Sequence, residues 1–299
     1  MDLIQLTPSA YHLRDGSNTG LIVAGGKAIL VDTGLDKDSA RKILRAVDSL
    51  GLALVAVVIT HAHADHFGGA ATVRARAHVP VCAAPLEAAV VANPLLEPLY
   101  LFSGAAPVAE LRHKFTLAEA CPVDHFLMPG EASIEGIPLQ VIPAPGHAPE
   151  QVMIAGGGVC FTGDACFAPP VMLKHGIPFY VDVDQTAASL RALAGLDGSY
   201  LYFVPGHGEA VTTIGPWVEQ NLAHLAAIRA AVVDALAESG EVSRIVELAA
   251  ARMGVSIPNP VIYWLTQTTI LACLSALQAA GQATLAVSEN RLTWRPSGA

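Results

Sequence analysis

Seven side chains in this sequence have the types and spacing of metal ligands: His61, His63, Asp65 and His66 within one hexapeptide, then His147, Asp164 and His207, each directly after a glycine. All offer imidazole or carboxylate, and none offers thiolate. Four coordinating side chains within six residues cannot all reach one tetrahedral ion, because the adjacent Asp65 and His66 leave the backbone in different directions from His61 and His63. Two neighbouring ions resolve the conflict. Nitrogen and oxygen donors of this kind suit zinc, and iron or manganese accept the same set. Two cations held roughly 3.5–4 Å apart lower the pKa of a bridging water toward neutrality and make hydroxide available as a nucleophile. Without metal, the cluster would bury or crowd several unpartnered polar groups at about 1–3 kcal/mol each. The scattered His12, His78, His113, His125 and His224 lack such neighbours and read as ordinary structural residues.

The elements that must position these ligands are short apolar runs. Residues 52–60 are continuously apolar and β-branched, as in a strand buried on both faces, and they lead straight into the hexapeptide. Small residues after Phe67 open a helix, so the hexapeptide reads as a loop between strand and helix. Strand-like stretches at 137–143, 158–162 and 200–205 deliver His147, Asp164 and His207 in turn. Upstream, apolar runs on either side of Gly25-Gly26 predict a hairpin. It ends near Asp32, a candidate acceptor for a ligand histidine. Two irregular regions are placed to shape a substrate site. Residues 85–126 are rich in Leu, Ala and Pro and suit an apolar wall; residues 169–180 carry Lys174, His175 and Tyr180, candidates to grip a polar or anionic group.

The His-x-His-x-Asp-His hexapeptide, with His147, Asp164 and His207 in order after it, resembles the signature of the metallo-β-lactamase superfamily over about residues 10–215. The resemblance implies an α/β fold, an αββα four-layer sandwich with the metals at one sheet edge. It implies that His61, His63 and His147 hold one metal, that Asp65, His66 and His207 hold the other, and that Asp164 bridges them. Asp65 would also act catalytically, orienting the hydroxide or passing a proton to the leaving group. Departures narrow the activity. True β-lactamases usually carry Cys or Ser where Asp164 stands; the quorum-sensing lactonases place Tyr where this chain has Phe167; and diiron members replace His63 by Glu. The segment around Phe161 and Cys166 is similar to that of glyoxalase II and related thioesterases, yet no basic glutathione-binding cluster is found, and Pro205-Gly-His-Gly-Glu209 looks like the general hydrolases. The expected function is a dinuclear hydrolase, zinc-dependent by preference, cleaving an ester or thioester of a small, partly apolar substrate.

After residue 215 the pattern changes to three helices, at 217–240, 241–253 and 263–280, followed by a hairpin turning at 288–290. This division, 1–215 and 216–299, resembles a catalytic domain followed by a small winged-helix-like one. Superfamily members with such an appendage include endoribonucleases, which makes a metal-dependent endoribonuclease or phosphodiesterase the alternative. Charge argues against it. The net charge is -9, the third helix holds no Lys or Arg, and the hairpin offers only Arg291 and Arg295, whereas phosphate contacts need basic side chains. A packing role, over the active-site mouth or between two subunits of a homodimer, is expected instead. With 53% hydrophobic and 14% charged residues the chain can bury a large core. The apolar run 261–280 is interrupted by Gln267, Thr268, Thr269 and Gln278, so no membrane span is expected. No secretory signal opens the chain, and Cys82, Cys121, Cys160, Cys166 and Cys273 show no Cys-x-x-Cys pairing, which suits reduced, buried thiols and a cytoplasmic location.

Overall fold

The structure, a computed structural model, describes residues 1–298. Strands β1 (Asp2–Thr7), β2 (Ala10–Arg14), β3 (Thr19–Ala24) and β4 (Lys27–Val31) run as an antiparallel meander. The β3–β4 turn places Gly25 and Gly26 at φ of 58° and 76°, the pair of left-handed positions a two-residue hairpin needs. Helix α1 (Lys37–Ser49), capped by the Asp36 carboxylate, returns the chain to β5 (Ala53–Val58), parallel to β4. Then follow α2 (Ala64–Phe67), α3 (Ala70–Ala77), β6 (Val81–Ala83), α4 (Pro85–Ala92), α5 (Leu96–Leu101), a 3-10 turn at Ala109–Leu111 and β7 (His125–Phe126). The second sheet comprises β8 (Gly130–Ile134), β9 (Ile137–Pro143), β10 (Val152–Gly156) and β11 (Val159–Gly163). After α6 (Pro169–His175) and α7 (Val183–Ala194) it is completed by β12 (Tyr202–Pro205), parallel to β11.

The seven-stranded sheet, in order β1 to β7, faces the five-stranded sheet, in order β12-β11-β10-β9-β8. Ile22, Ile29 and Val58 from one meet Val141, Ile154 and Phe161 from the other in the central core. Helices α1 and α3 cover the outer face of the first sheet, and α7 with the start of the next helix covers that of the second. The expected αββα layering is present. The hexapeptide differs from a plain loop: Ala64–Phe67 form one helical turn, with His63 at its N-cap position but making no capping bond, since its ring is turned toward the other ligands.

Helices α8 (Gly215–Glu238), α9 (Val242–Arg252) and α10 (Pro260–Ala279) and the hairpin β13 (Ala283–Ser288) with β14 (Arg291–Pro296) follow, close to the expected spans; residue 299 lies outside the described residues. Helix α10 starts earlier than the periodicity suggests, because Asn259 caps it by accepting from Ile262 N and Pro260 stands at its first turn. It is long and apolar enough to cross a bilayer, but here it packs against α7, α8, α9 and β13. These helices share one core with Phe167, Met172, Ile177, Tyr180 and Val183 of the ligand-bearing part, so the two parts of the chain are joined by a continuous apolar interior. Residues 85–126 are less irregular than expected, folding into α4, α5 and the 3-10 turn; Phe102 there meets Trp264 of α10 edge-on at 5.3 Å.

Candidate metal centre

All seven sequence-derived ligands converge where β5, β11 and β12 and the loop after β9 end on one side of the sandwich. His63 Nδ1 and His147 Nε2 face each other at 2.8 Å, and His61 completes their group. Asp65 Oδ2 lies 3.2 Å from His207 Nε2 and 3.9 Å from His66 Nε2. Asp164 stands between the two groups, its carboxylate 3.6 Å from His147 Nε2, 3.5 Å from His66 Nε2 and 3.6 Å from His207 Nε2.

The imidazoles are oriented from behind, which fixes the nitrogen each presents. His66 Nδ1 donates to Asp32 Oδ2 (2.9 Å), His147 Nδ1 to the Phe179 carbonyl (2.8 Å) and His207 Nδ1 to the Gly16 carbonyl (2.8 Å). Asp32, expected as an acceptor, does more than that. Its carboxylate also receives Thr60 N and Thr60 Oγ1 at 2.8 Å each, and Thr60 Oγ1 lies 3.1 Å from His61 Nδ1. One carboxylate therefore aligns ligands of both groups. It sits at φ 59°, a left-handed conformation that Asp tolerates better than most residues.

Electrostatics match this geometry. Burial pushes His61 and His147 well below the usual imidazole range and His63 down to about 4, leaving neutral rings with free lone pairs. For His66 burial opposes the charge, but Asp65, Asp164 and Asp32 outweigh it and raise the group to about 10; His207 rises against burial to about 9 through Asp164 and Asp65. Protons on these two rings thus balance the carboxylates. The nitrogens His61 Nε2 and His66 Nε2 and the oxygen Asp164 Oδ1 are buried with no hydrogen-bond partner, at a cost of about 1–3 kcal/mol each. Orphaned donor atoms aimed at a common centre, all nitrogen or oxygen, fit divalent cations such as zinc, iron or manganese.

Three supporting residues escape the sequence reading. Asn18 grips the His207 loop, its amide donating to the Pro205 and Gly208 carbonyls at 2.8 and 2.7 Å. Ser17 Oγ donates to Asp65 Oδ2 at 2.9 Å. Glu87, fully buried on α4, accepts from Ala62 N (2.7 Å) and Glu150 N (2.8 Å), tying the His61–His63 loop to the His147 loop; burial lifts its carboxyl to about 7. Glu87→Ala is expected to weaken binding at the His61, His63 and His147 group by about 10–100-fold, as loss of outer-shell partners does. Competition with a chromophoric chelator measures this, and unchanged affinity would dismiss the role.

A cavity of about 670 Å³ opens over the ligand cluster, with His63, Asp65, His147, Asp164 and His207 on its floor and His61 and His66 fully buried. Its walls are apolar: Phe167, Ile177 and Phe179 on one side, and Val261, Ile262 and Leu265 of α10 on another. From the 85–126 region, Phe115 and Thr116 contribute as expected of a wall. His175 also lines the cavity. Lys174 does not; it is exposed at a second depression that it shares with Asp15 and Lys42 and that also reaches Asp65 and His207. Nor does Tyr180, whose ring is buried in the core against Phe167 and whose amide donates to Thr269 Oγ1 of α10 at 2.9 Å. The expected grip by Tyr180 is thereby corrected: the segment turns inward where it docks on α10.

The Metallo-beta-lactamase superfamily model matches residues 13–207, from β2 to the last ligand. The chain belongs to the metallo-β-lactamase superfamily. Its relatives include Thioesterase pkgB of Emericella nidulans, 27% identical over 72% of this chain and 54% of that protein. A hydroxyacylglutathione hydrolase of Xanthomonas euvesicatoria is 32% identical over 60% of this chain and 56% of that one. The matched region thus spans little more than half of either relative. Among solved structures, a beta-lactamase domain protein from Burkholderia ambifaria superposes with a TM-score of 0.77 at 19% identity, covering 99% of this chain and 94% of that one. A metallo-beta-lactamase family protein from Thermus thermophilus gives 0.76, also at 19%, over 98% and 100%. At such identities the likeness establishes the fold, the C-terminal helices included.

Proposed function

We propose that this metallo-β-lactamase superfamily member is a dinuclear metal-dependent hydrolase that cleaves an ester or thioester of a small, partly apolar substrate. The observation that carries the reading is a complete set of seven clustered nitrogen and oxygen ligands, five of which line a mostly apolar cavity. The relatives described as a thioesterase and a hydroxyacylglutathione hydrolase agree with it. His61, His63 and His147 would hold one cation, Asp65, His66 and His207 the other, and Asp164 would lie between them. Two such cations, when bound, supply Lewis acidity and a hydroxide nucleophile at neutral pH.

The chain's own residues do the rest. Phe167, Ile177 and Phe179 exclude water and hold the acyl group. Asp65 lines the cavity and is steered by the Ser17 hydroxyl, so its carboxylate would orient the attacking hydroxide, accept the proton that hydroxide gives up on forming the acid, and hand it to the departing thiolate or alkoxide. Asp65→Asn should lower kcat by about 10²–10⁴-fold, the worth of a positioned acid-base, with far less change in KM. Equal turnover in that variant would remove the role.

The decisive experiment reconstitutes the protein with zinc and offers acyl thioesters and esters beside a single-stranded RNA oligomer, with metal-stripped protein as control. Metal-dependent cleavage of the small substrates with intact RNA supports the proposal. Cleavage of RNA alone would overturn it in favour of a phosphodiesterase. Against that outcome, neither α10 nor the cavity lining contains Lys or Arg among the described residues.

A further inference from the structure

Glu97 is out of keeping with its surroundings. It lies on α5, Leu-Glu-Pro-Leu-Tyr-Leu, and is 4% exposed. Among the described residues its carboxyl has no hydrogen-bond or ion-pair partner, unlike Glu87, whose carboxylate takes two amides. It lines the metal-centre cavity, with Glu110 exposed farther out on the lining. No Lys or Arg accompanies them there; the basic groups besides the ligands are the imidazoles of His113 and His175. Burial, with Asp65 and Glu87 adding to it, pushes the Glu97 carboxyl well above the ordinary range. A buried, unpartnered carboxyl costs stability, and Leu or Met would fill the same place on this apolar helix more favourably.

We propose that Glu97 is a specificity-determining residue whose carboxyl accepts a hydrogen bond from a hydroxyl or amide N–H on the acyl chain held in the cavity, and that the cavity itself disfavours chains ending in a carboxylate. This names the substrate class within the hydrolase reading and rests on it: a neutral acyl group, apolar for most of its length, carrying a hydrogen-bond donor away from the scissile bond. The apolar side chains of the walls hold the chain, and the donor satisfies the buried Glu97 carboxyl among them. A chain ending in methyl leaves Glu97 unpaired and desolvated, and sites built around a polar group discriminate strongly against partners that cannot pair with it. A carboxylate end would be desolvated in the cavity with no cationic side chain but the imidazoles to offset its charge.

The test uses the zinc-loaded protein and non-cleavable ketones, in which CH₂ replaces the thioester sulfur, ending in hydroxyl, methyl or carboxylate on chains of equal length. Calorimetry should rank the wild type hydroxyl over methyl over carboxylate, with the hydroxyl favoured by roughly ten- to hundred-fold. In Glu97→Leu that preference should vanish while the methyl-ended ketone binds at least as tightly and Tm rises. In Glu97→Gln part of the hydroxyl preference should persist. A wild type that binds hydroxyl and methyl ends equally, or a Glu97→Leu variant that keeps the preference, would overturn the assignment; so would a large drop in Tm for Glu97→Leu, which would make the carboxyl structural. Thioester counterparts are assayed for hydrolysis in parallel. Ketone discrimination without cleavage would uphold Glu97 as the selector while refuting the hydrolase reading.

Discussion

Gly206→Ala is expected to strip the centre of bound metal and to lower activity by about 10²-fold or more, because displacements of about 1 Å at a reacting centre already have that effect. A Cβ at this position would lie 1.9 Å from Asp164 Oδ1 and 2.8 Å from His66 Cε1, within the space the ligands occupy. The backbone cannot withdraw. Gly206 N donates to the Gly163 carbonyl at 2.8 Å, and its own carbonyl accepts from Asn18 N at 2.7 Å. Because the conformation there is not left-handed, the penalty is steric and falls on Asp164 and His66 directly. Metal analysis of the purified variant checks it: a metal content equal to the wild type's, with full activity, would show that the ligands adapt.

Removing the metals should expose the ionic logic of the ligand cluster. Cations that bind only the folded chain stabilise it by mass action, about 4 kcal/mol each at a thousandfold excess over Kd, so chelation should lower Tm by roughly 10 °C. The metal-free protein should then show a stability maximum near neutral pH. His66 at about 10 and His207 at about 9 exceed the unfolded value of 6.5, so the folded chain holds extra protons between these limits. Their contribution is complete below pH 6.5 and is lost as pH rises through 9 and 10. His63 at about 4, with His61 and His147 also depressed, acts in the opposite sense: the unfolded chain takes up protons first, and stability falls as pH drops from 6.5 toward 4. Thermal denaturation from pH 4 to 10 with chelator present would reveal this profile; a monotonic dependence would contradict the charge assignments.

The ligands are legible in the sequence because they belong to short contiguous patterns. His61 to His66 and three glycine-preceded ligands at strand ends need no knowledge of distant contacts. The β3–β4 hairpin and the C-terminal helices and hairpin are readable for the same reason, since turn glycines and local periodicity define them. What stays hidden is non-local. Asn18 meets Pro205 across 187 positions and Glu87 meets Glu150 across 63, and nothing near either residue in sequence marks the partner. Tyr180 misleads because an irregular segment has no period to say which side chains turn inward. Glu97 is concealed in a stretch whose Leu and Pro content suggests only an apolar wall.

Helix α10 supplies one wall of the cavity and none of the ligands, and its far end is embedded among α8, α9 and β13. Part of the cavity wall therefore lies in a stretch of the polypeptide that carries no ligand. Changes at Val261, Ile262 or Leu265 alter that wall without replacing a ligand. Under the proposed hydrolase reading, one route to new substrates runs through the last quarter of the chain.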